Sequence, residues 1–140
     1  MNWEQRLIDA DCRITAARRA VIQVLMDANR PLAPPEILAR GQKRHPKLGL
    51  ATVYRAVDLF IELKLAHRVH NEHECHNYLL ASSSHSHALV CSDCGKSVNF
   101  SCRETLQRLI EQVRTQVGYQ INSHLLQLFG QCPECQISAA

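Results

Sequence analysis

An α+β fold built from two small units is what this sequence predicts, and three observations carry the prediction. Residues 3–63 read as four successive helical stretches and residues 65–81 as a hairpin. A second unit restarts at Ala88 with strand, strand, helix and strand. Two Cys-x-x-Cys pairs, Cys91/Cys94 and Cys132/Cys135, bracket that second unit. The length agrees: 140 residues make one ordinary domain or two very small ones. With 46% hydrophobic and 21% charged residues, five Gly and five Pro, disordered and collagen-like chains are excluded. No apolar run approaches the ~18 residues of a membrane span, and no basic start leads into an apolar signal core, so a soluble, cytoplasmic protein is expected.

The elements follow in order. Trp3 to Ala10 forms a short helix. Thr15 is placed to cap a second helix running to about Asn29, with Val21, Ile22, Leu25 and Ala28 on one face. Pro31, Pro34 and Pro35 interrupt the chain, and Pro35 suits the first turn of a third helix that ends before Pro46. The turn His45–Gly49 leads into a fourth helix, Ala51 to Leu63, striped by Val53, Ala56, Val57, Phe60 and Leu63. Leu65–His70 and His76–Ala81 then read as a β-hairpin. Helix, helix, turn, helix and hairpin is the order of a winged helix-turn-helix, although a helical bundle with an unrelated hairpin fits the pattern too. The polar face of the fourth helix favours the former, because Thr52, Tyr54, Arg55 and Asp58 include residue types unusual on a merely solvated face.

In the second unit, Ala88–Val90 and Ser97–Phe100 read as strands. Arg103–Val117 reads as a helix with Leu106, Leu109, Ile110, Val113 and Val117 inward, and Tyr119–Phe129 as a strand. A unit this small needs a staple or an oligomeric partner. Charge separates the halves: residues 1–70 hold twelve Lys/Arg against seven Asp/Glu, and residues 71–140 hold four against six together with five of the eight His. A basic front and a Cys/His-rich back suggest polyanion contact and metal or redox chemistry, respectively.

Each Cys-x-x-Cys sets two thiolates on one tight turn, half of a tetrahedral zinc site, and Gly95 frees the first turn for backbone N–H groups to reach sulfur. Cys91, Cys94, Cys132 and Cys135 are therefore expected to hold one structural zinc. The alternatives are a redox dithiol, for which neither pair reads as opening a helix after a strand, and disulfides, which an intracellular setting disfavours. In His85-Ser86-His87, extended alternation would send both imidazoles to one face, between the two units. His85 and His87 are therefore candidate ligands of a second ion, with Cys75 and His76 of the hairpin as possible additions. No enzyme is expected. His73-Glu74-Cys75-His76 spaces its histidines by three, not the four a zinc-protease helix requires. The deaminase pattern fails because its Pro follows Cys132 instead of preceding it.

Taken together, Gly49-Leu50-Ala51-Thr52-Val53-Tyr54-Arg55, Ala88–Gly95, and Asn122-Ser123-His124 running to Cys132-Pro133-Glu134-Cys135 resemble the ferric uptake regulator (Fur) superfamily, most closely its zinc uptake (Zur) branch. Arg13–Arg18 is similar to the family's second-helix start, with Ala16 where Pro is usual. The resemblance implies an N-terminal winged helix (1–81), a hinge (82–87) and a C-terminal α/β dimerisation domain (88–140). It further implies a homodimeric, metal-loaded repressor of metal-uptake genes on inverted-repeat operators. One structural and at least one regulatory zinc per protomer are expected. His67 occupies a hairpin position that is a ligand in zinc regulators, and no His stands at Asn29–Pro31, where iron and peroxide sensors carry one. The resemblance thus implies a regulatory metal site at His67, Cys75, His85 and His87, with Cys102, Glu104 and His124 as a substitute or second set. Ala81 and Asn99 depart from the pattern, replacing a common Cys and a common carboxylate. Arg13, Arg18, Arg19, Thr52, Tyr54 and Arg55 are the expected DNA contacts. An iron, nickel or peroxide sensor of the same superfamily is the alternative, and a zinc-ribbon interaction module without DNA binding is the rival of a different class.

Overall fold

Thr15 begins the helix that organises the first unit: its side-chain oxygen accepts the Arg18 N–H at 3.2 Å, fixing the start of α2 (Ala16–Met26). The structure is a computed structural model describing residues 2–70 and 76–139. Before α2 lies α1 (Trp3–Asp9), capped by Asn2 and burying Trp3 and Leu7. After it come α3 (Pro34–Gly41), with Pro in its first turn, and α4 (Leu50–Glu62). Val21, Ile22 and Leu25 of α2, Ile37 of α3, and Val53, Val57 and Phe60 of α4 form one buried core with Leu65 and Tyr78. Gly41 permits the close turn between α3 and α4, since a Cβ there would lie 2.6 Å from Leu48 Cδ2.

The hairpin is β1 (Ala66–Val69) antiparallel to β2 (Asn77–Leu80), with Ala66 opposite Leu80. Leu32 and Tyr78 exchange two backbone hydrogen bonds, at 2.9 and 2.8 Å, which lash the hairpin to the α2–α3 linker. This is the winged helix expected from the element order.

In the second unit β3 (Ser86–Cys91) is central, flanked by antiparallel β4 (Ser97–Ser101) and parallel β5 (Gln127–Gly130). The helix α5 spans Arg103–Val117, as read from the sequence, and ends at Gly118 with φ 71°. The long strand expected over Tyr119–Phe129 is shorter. Pairing begins at Gln127 opposite Ala88, and β3 extends only two residues further back, so the preceding segment has no ladder to join. A last helix, α6 (Pro133–Ala139), was not expected. Nor does α5 bury any side chain: Leu109 and Val117 are more than half exposed, as are Val98, Leu125 and Phe129 elsewhere in the unit. The residues read as facing inward on α5 thus contribute to an apolar surface left open by the single chain.

The units meet through Val69, Leu79, Ala88 and Val90, a small buried cluster drawn from both. Polar ties reinforce it. Asn99 Nδ2 donates to the Leu80 carbonyl at 3.1 Å, the Ser97 N–H to the Asn29 carbonyl at 3.2 Å, and the Gln127 amide exchanges two bonds with the His70 backbone. Among the described residues, no helix is long and apolar enough to cross a membrane.

Candidate metal centres and nucleic-acid interface

The turn after β3 carries Cys91 and Cys94, and the segment after β5 carries Cys132 and Cys135. Because β3 and β5 are parallel neighbours, both turns emerge at the same end of the sheet. The four sulfurs lie within 4.8 Å of one another, and Cys94 Sγ is 3.8 Å from Cys132 Sγ. A tetrahedral zinc with bonds of ~2.3 Å has a sulfur–sulfur edge of ~3.8 Å, so the donor set fits that ion. No disulfide links the described cysteines. Backbone N–H groups of Cys94, Cys132 and Asp93 hold the Cys91 thiol down at about 6, and the Cys132 N–H lies 3.3 Å from its sulfur. Cys135 is pushed well upward by hydrogen bonding with Cys132 and Cys94. One ready thiolate among crowded thiols is what a dication would resolve by displacing the remaining protons. Contrary to the sequence expectation, Cys132-Pro133-Glu134-Cys135 opens a helix after a strand, β5 to α6. The case against a redox dithiol therefore rests on the convergence of the four sulfurs.

The histidines collect elsewhere. A cavity of about 600 Å³ between β1, the start of β3, α5 and the 122–127 segment is lined by His67, His85, His87 and His124. Cys75 and His73 lie outside the described residues. Among the described residues the four cysteines are the only group of three or more His, Cys, Asp or Glu with ligand atoms so closely gathered. His67, His85 and His87 therefore share the cavity wall without closing a site. The extended run expected over His85–His87 begins one residue late, so the two imidazoles do not share a strand face. β3 starts at Ser86, leaving His85 exposed in the preceding turn, while His87 is buried beside His124, with ring centroids 5.4 Å apart. Burial first, then neighbouring imidazoles, hold both His67 and His87 below the ordinary histidine value of 6.5. Both are neutral, as metal ligands must be.

Ser86 determines which nitrogen His67 can offer. Its hydroxyl donates to the Ser83 carbonyl at 2.8 Å, which uses its one proton. His67 Nε2, 3.0 Å from Ser86 Oγ, must then be the donor, which puts the lone pair of the neutral ring on Nδ1. Cys102 and Glu104 sit at the start of α5 outside the cavity wall, whereas His124 is on it.

The expected nucleic-acid contacts centre on α4. Its apolar stripe is buried, so Tyr54 and Arg55 are exposed, and the Arg55 guanidinium donates to Thr52 Oγ1 at 3.2 Å. Arg18 donates to the Arg13 carbonyl, bracing the loop before α2. Arg19 pairs with Glu4 and lies over the Trp3 ring at 5.5 Å.

The profile of the Ferric uptake regulator family matches residues 9–129. The chain belongs to that family. Among curated family members it is 30% identical over 138 residues to the ferric uptake regulation protein of Legionella pneumophila, covering 97% of this chain and all of that one. It is 27% identical over 132 residues to the peroxide operon regulator of Bacillus subtilis (strain 168), covering 94% and 89% of the two chains. Among solved structures, a zinc uptake regulator complexed with zinc and DNA superposes with a TM-score of 0.82 at 20% identity, covering 98% of this chain and 93% of that one. That last likeness shows a shared fold. Two residues of this family member hold the cavity region in ways the sequence did not show: Ser86, which carried no signal, and Asn99, which stood out only as a departure from the family pattern. A serine or asparagine in a strand looks ordinary until its partners are placed.

Proposed function

We propose that this chain is a metal-responsive transcriptional repressor of the ferric uptake regulator family, zinc-sensing, that binds inverted-repeat operators as a metal-loaded homodimer in the cytoplasm and controls metal-uptake genes. Residues 1–81 are the DNA-binding domain, 82–87 the hinge and 88–140 the dimerisation domain. The observation that carries zinc over iron is the cavity: four imidazoles line it, and no Asp or Glu does among the described residues. Ferrous sites lean on carboxylates, whereas imidazole and thiolate suit zinc. Cys91, Cys94, Cys132 and Cys135 hold a structural zinc that staples β3 to β5. His67, His85 and His87, with Cys75, hold the regulatory ion.

Zinc supplies a dication that ties several segments at once. The protein's residues do the rest. His67 sits on the wing, His87 on the central strand of the second unit, and Ser86 orients His67. Joining them fixes the winged helix against the second unit, and through the dimer sets the separation of the two α4 helices. Only one separation matches successive major grooves on one face of DNA. The exposed apolar surface on α5 and β5 is the dimer face.

Mobility shift on palindromic DNA from the protein's own upstream region, with and without chelator, tests this. Zinc-dependent retardation is expected, and its absence on every palindromic probe would refute it. An iron or peroxide sensor is the second reading, favoured by the curated sequence relatives, which are iron and peroxide regulators. Retardation that follows ferrous iron and not zinc at equal free metal would select it.

A further inference from the structure

We propose that the open end of the wing is a further metal site, where His70 and His76 chelate a divalent transition ion that takes imidazole nitrogen and water, copper(II) or nickel(II). The β1–β2 ladder ends with Val69 opposite Asn77, so His70 and His76 oppose one another one step beyond it. Their ring centroids stand 5.4 Å apart, with the rings at 88°. Two imidazoles on one ion, with bonds of ~2.1 Å, place their centroids ~4.6–5.3 Å apart for bond angles of ~90–109°. The observed pair is a small side-chain rotation from chelation. Both residues are exposed, so the rings can turn and water can fill the remaining coordination positions.

The backbone behind the pair is held in place. Gln127, the first residue of β5, accepts the His70 N–H at 3.1 Å and donates to the His70 carbonyl at 3.2 Å, so its amide acts as a short piece of partner strand. His76 adjoins Asn77, which is paired with Val69 across the hairpin. Among the described residues, neither His70 nor His76 lines the cavity that holds His67, His85 and His87, so the pair is a separate donor set. Two nitrogens with open positions for water match the tetragonal nitrogen and oxygen sets of copper(II) and nickel(II), whereas a structural zinc asks for four protein ligands. An ion here closes the end of the hairpin where its own pairing stops. Through Gln127 it also stiffens the wing against the second unit. Its binding does not depend on the repressor reading above.

The test is calorimetric titration of the full-length protein with nickel(II), used as the probe because free thiols reduce copper(II). It is run on His87→Ala and on His67→Gln, which break the cavity set by two routes, with the four-cysteine zinc counted before and after. One saturable nickel per chain is expected in these proteins, and adding either His70→Gln or His76→Gln should abolish it. Gln127→Ala should weaken it about tenfold, the effect of losing a group that orients a ligand. A second readout leaves the pair unaltered: paramagnetic nickel(II) should broaden the ring proton signals of His70 and His76 before those of the other histidines. Absence of saturable nickel from the cavity variants, its retention after either addition, or first broadening at other histidines overturns the proposal. Mobility shifts of the wild type keep the two readings apart. Zinc-dependent retardation without nickel at the pair sinks this inference alone, and nickel at the pair without retardation sinks the repressor reading alone.

Discussion

Arg55 and Tyr54 stand out of α4 because the helix has committed its other face to the core, and Thr52 steadies the guanidinium from one turn away. In the repressor reading, Arg55 makes a two-pronged bond to guanine and Tyr54 an apolar contact to a thymine methyl. Arg55→Ala should cost ~1–3 kcal/mol of operator affinity and relax sequence preference, measured by competition between operator and scrambled DNA. Equal loss on both probes would remove Arg55 from base readout. Arg18→Ala should weaken both alike. These residues were legible in the sequence because Tyr and Arg are odd choices opposite a clean apolar stripe. Ser86 and His67 behave differently, since their roles depend on where β3 begins. His67 and His87 are held below 6.5 by burial, so acidification protonates them in the unfolded chain before the folded one. The unfolded state then binds more protons, and stability falls as pH drops below 6.5. Chelator-treated protein should show a lower urea midpoint at pH 5.5 than at 7.5, and His67→Gln should reduce that difference.

At the scale of elements, the staple and α5 decide whether the second unit persists. Cys94→Ser removes one of four sulfurs from a site that ties β3 to the start of α6. The expected result is loss of one zinc per protomer with a lower melting temperature and a monomer or aggregate on sizing. A dimer with unchanged melting would show that the cluster is not structural. Leu109→Glu makes the complementary test, because Leu109 is 53% exposed in the single chain. It should forfeit about 1.5–3 kcal/mol of burial in the dimer and shift the protein toward monomer while the four-cysteine zinc remains. The helices and both hairpins were legible from period and turn residues, and α5 was read to its ends. What was not legible shares one cause. β5 is set by its parallel partner and α6 by a site that closes through tertiary contact, and neither constraint is local. The exposure of α5 has the same cause inverted: its apolar stripe signals burial, and in the repressor reading the covering surface lies on a second copy, which no local pattern shows.

At the scale of the whole molecule, the two units are coupled across one junction. The wing carries His67, the second unit carries His87 and His124, and Gln127 and Asn99 already hydrogen-bond across the junction. In the repressor reading, a metal-free dimer samples several separations of its recognition helices, and its apparent affinity falls with the competent fraction. Removing one imidazole should therefore abolish the response without abolishing the fold. Elemental analysis of His87→Ala should find one zinc per protomer lost from the wild-type complement, the dimer intact, and only weak, salt-sensitive binding to any DNA. Charge separation between the halves pointed to this division of labour, but composition does not reveal that both units wall one cavity. The most direct test of the central claim is operator affinity, by fluorescence anisotropy, across buffered free zinc at constant ionic strength. Affinity should rise by about two orders of magnitude or more as the regulatory site fills, the range expected for a conformational tax removed by a ligand, while the four-cysteine zinc stays bound throughout. Affinity independent of free zinc over the whole range would contradict the account.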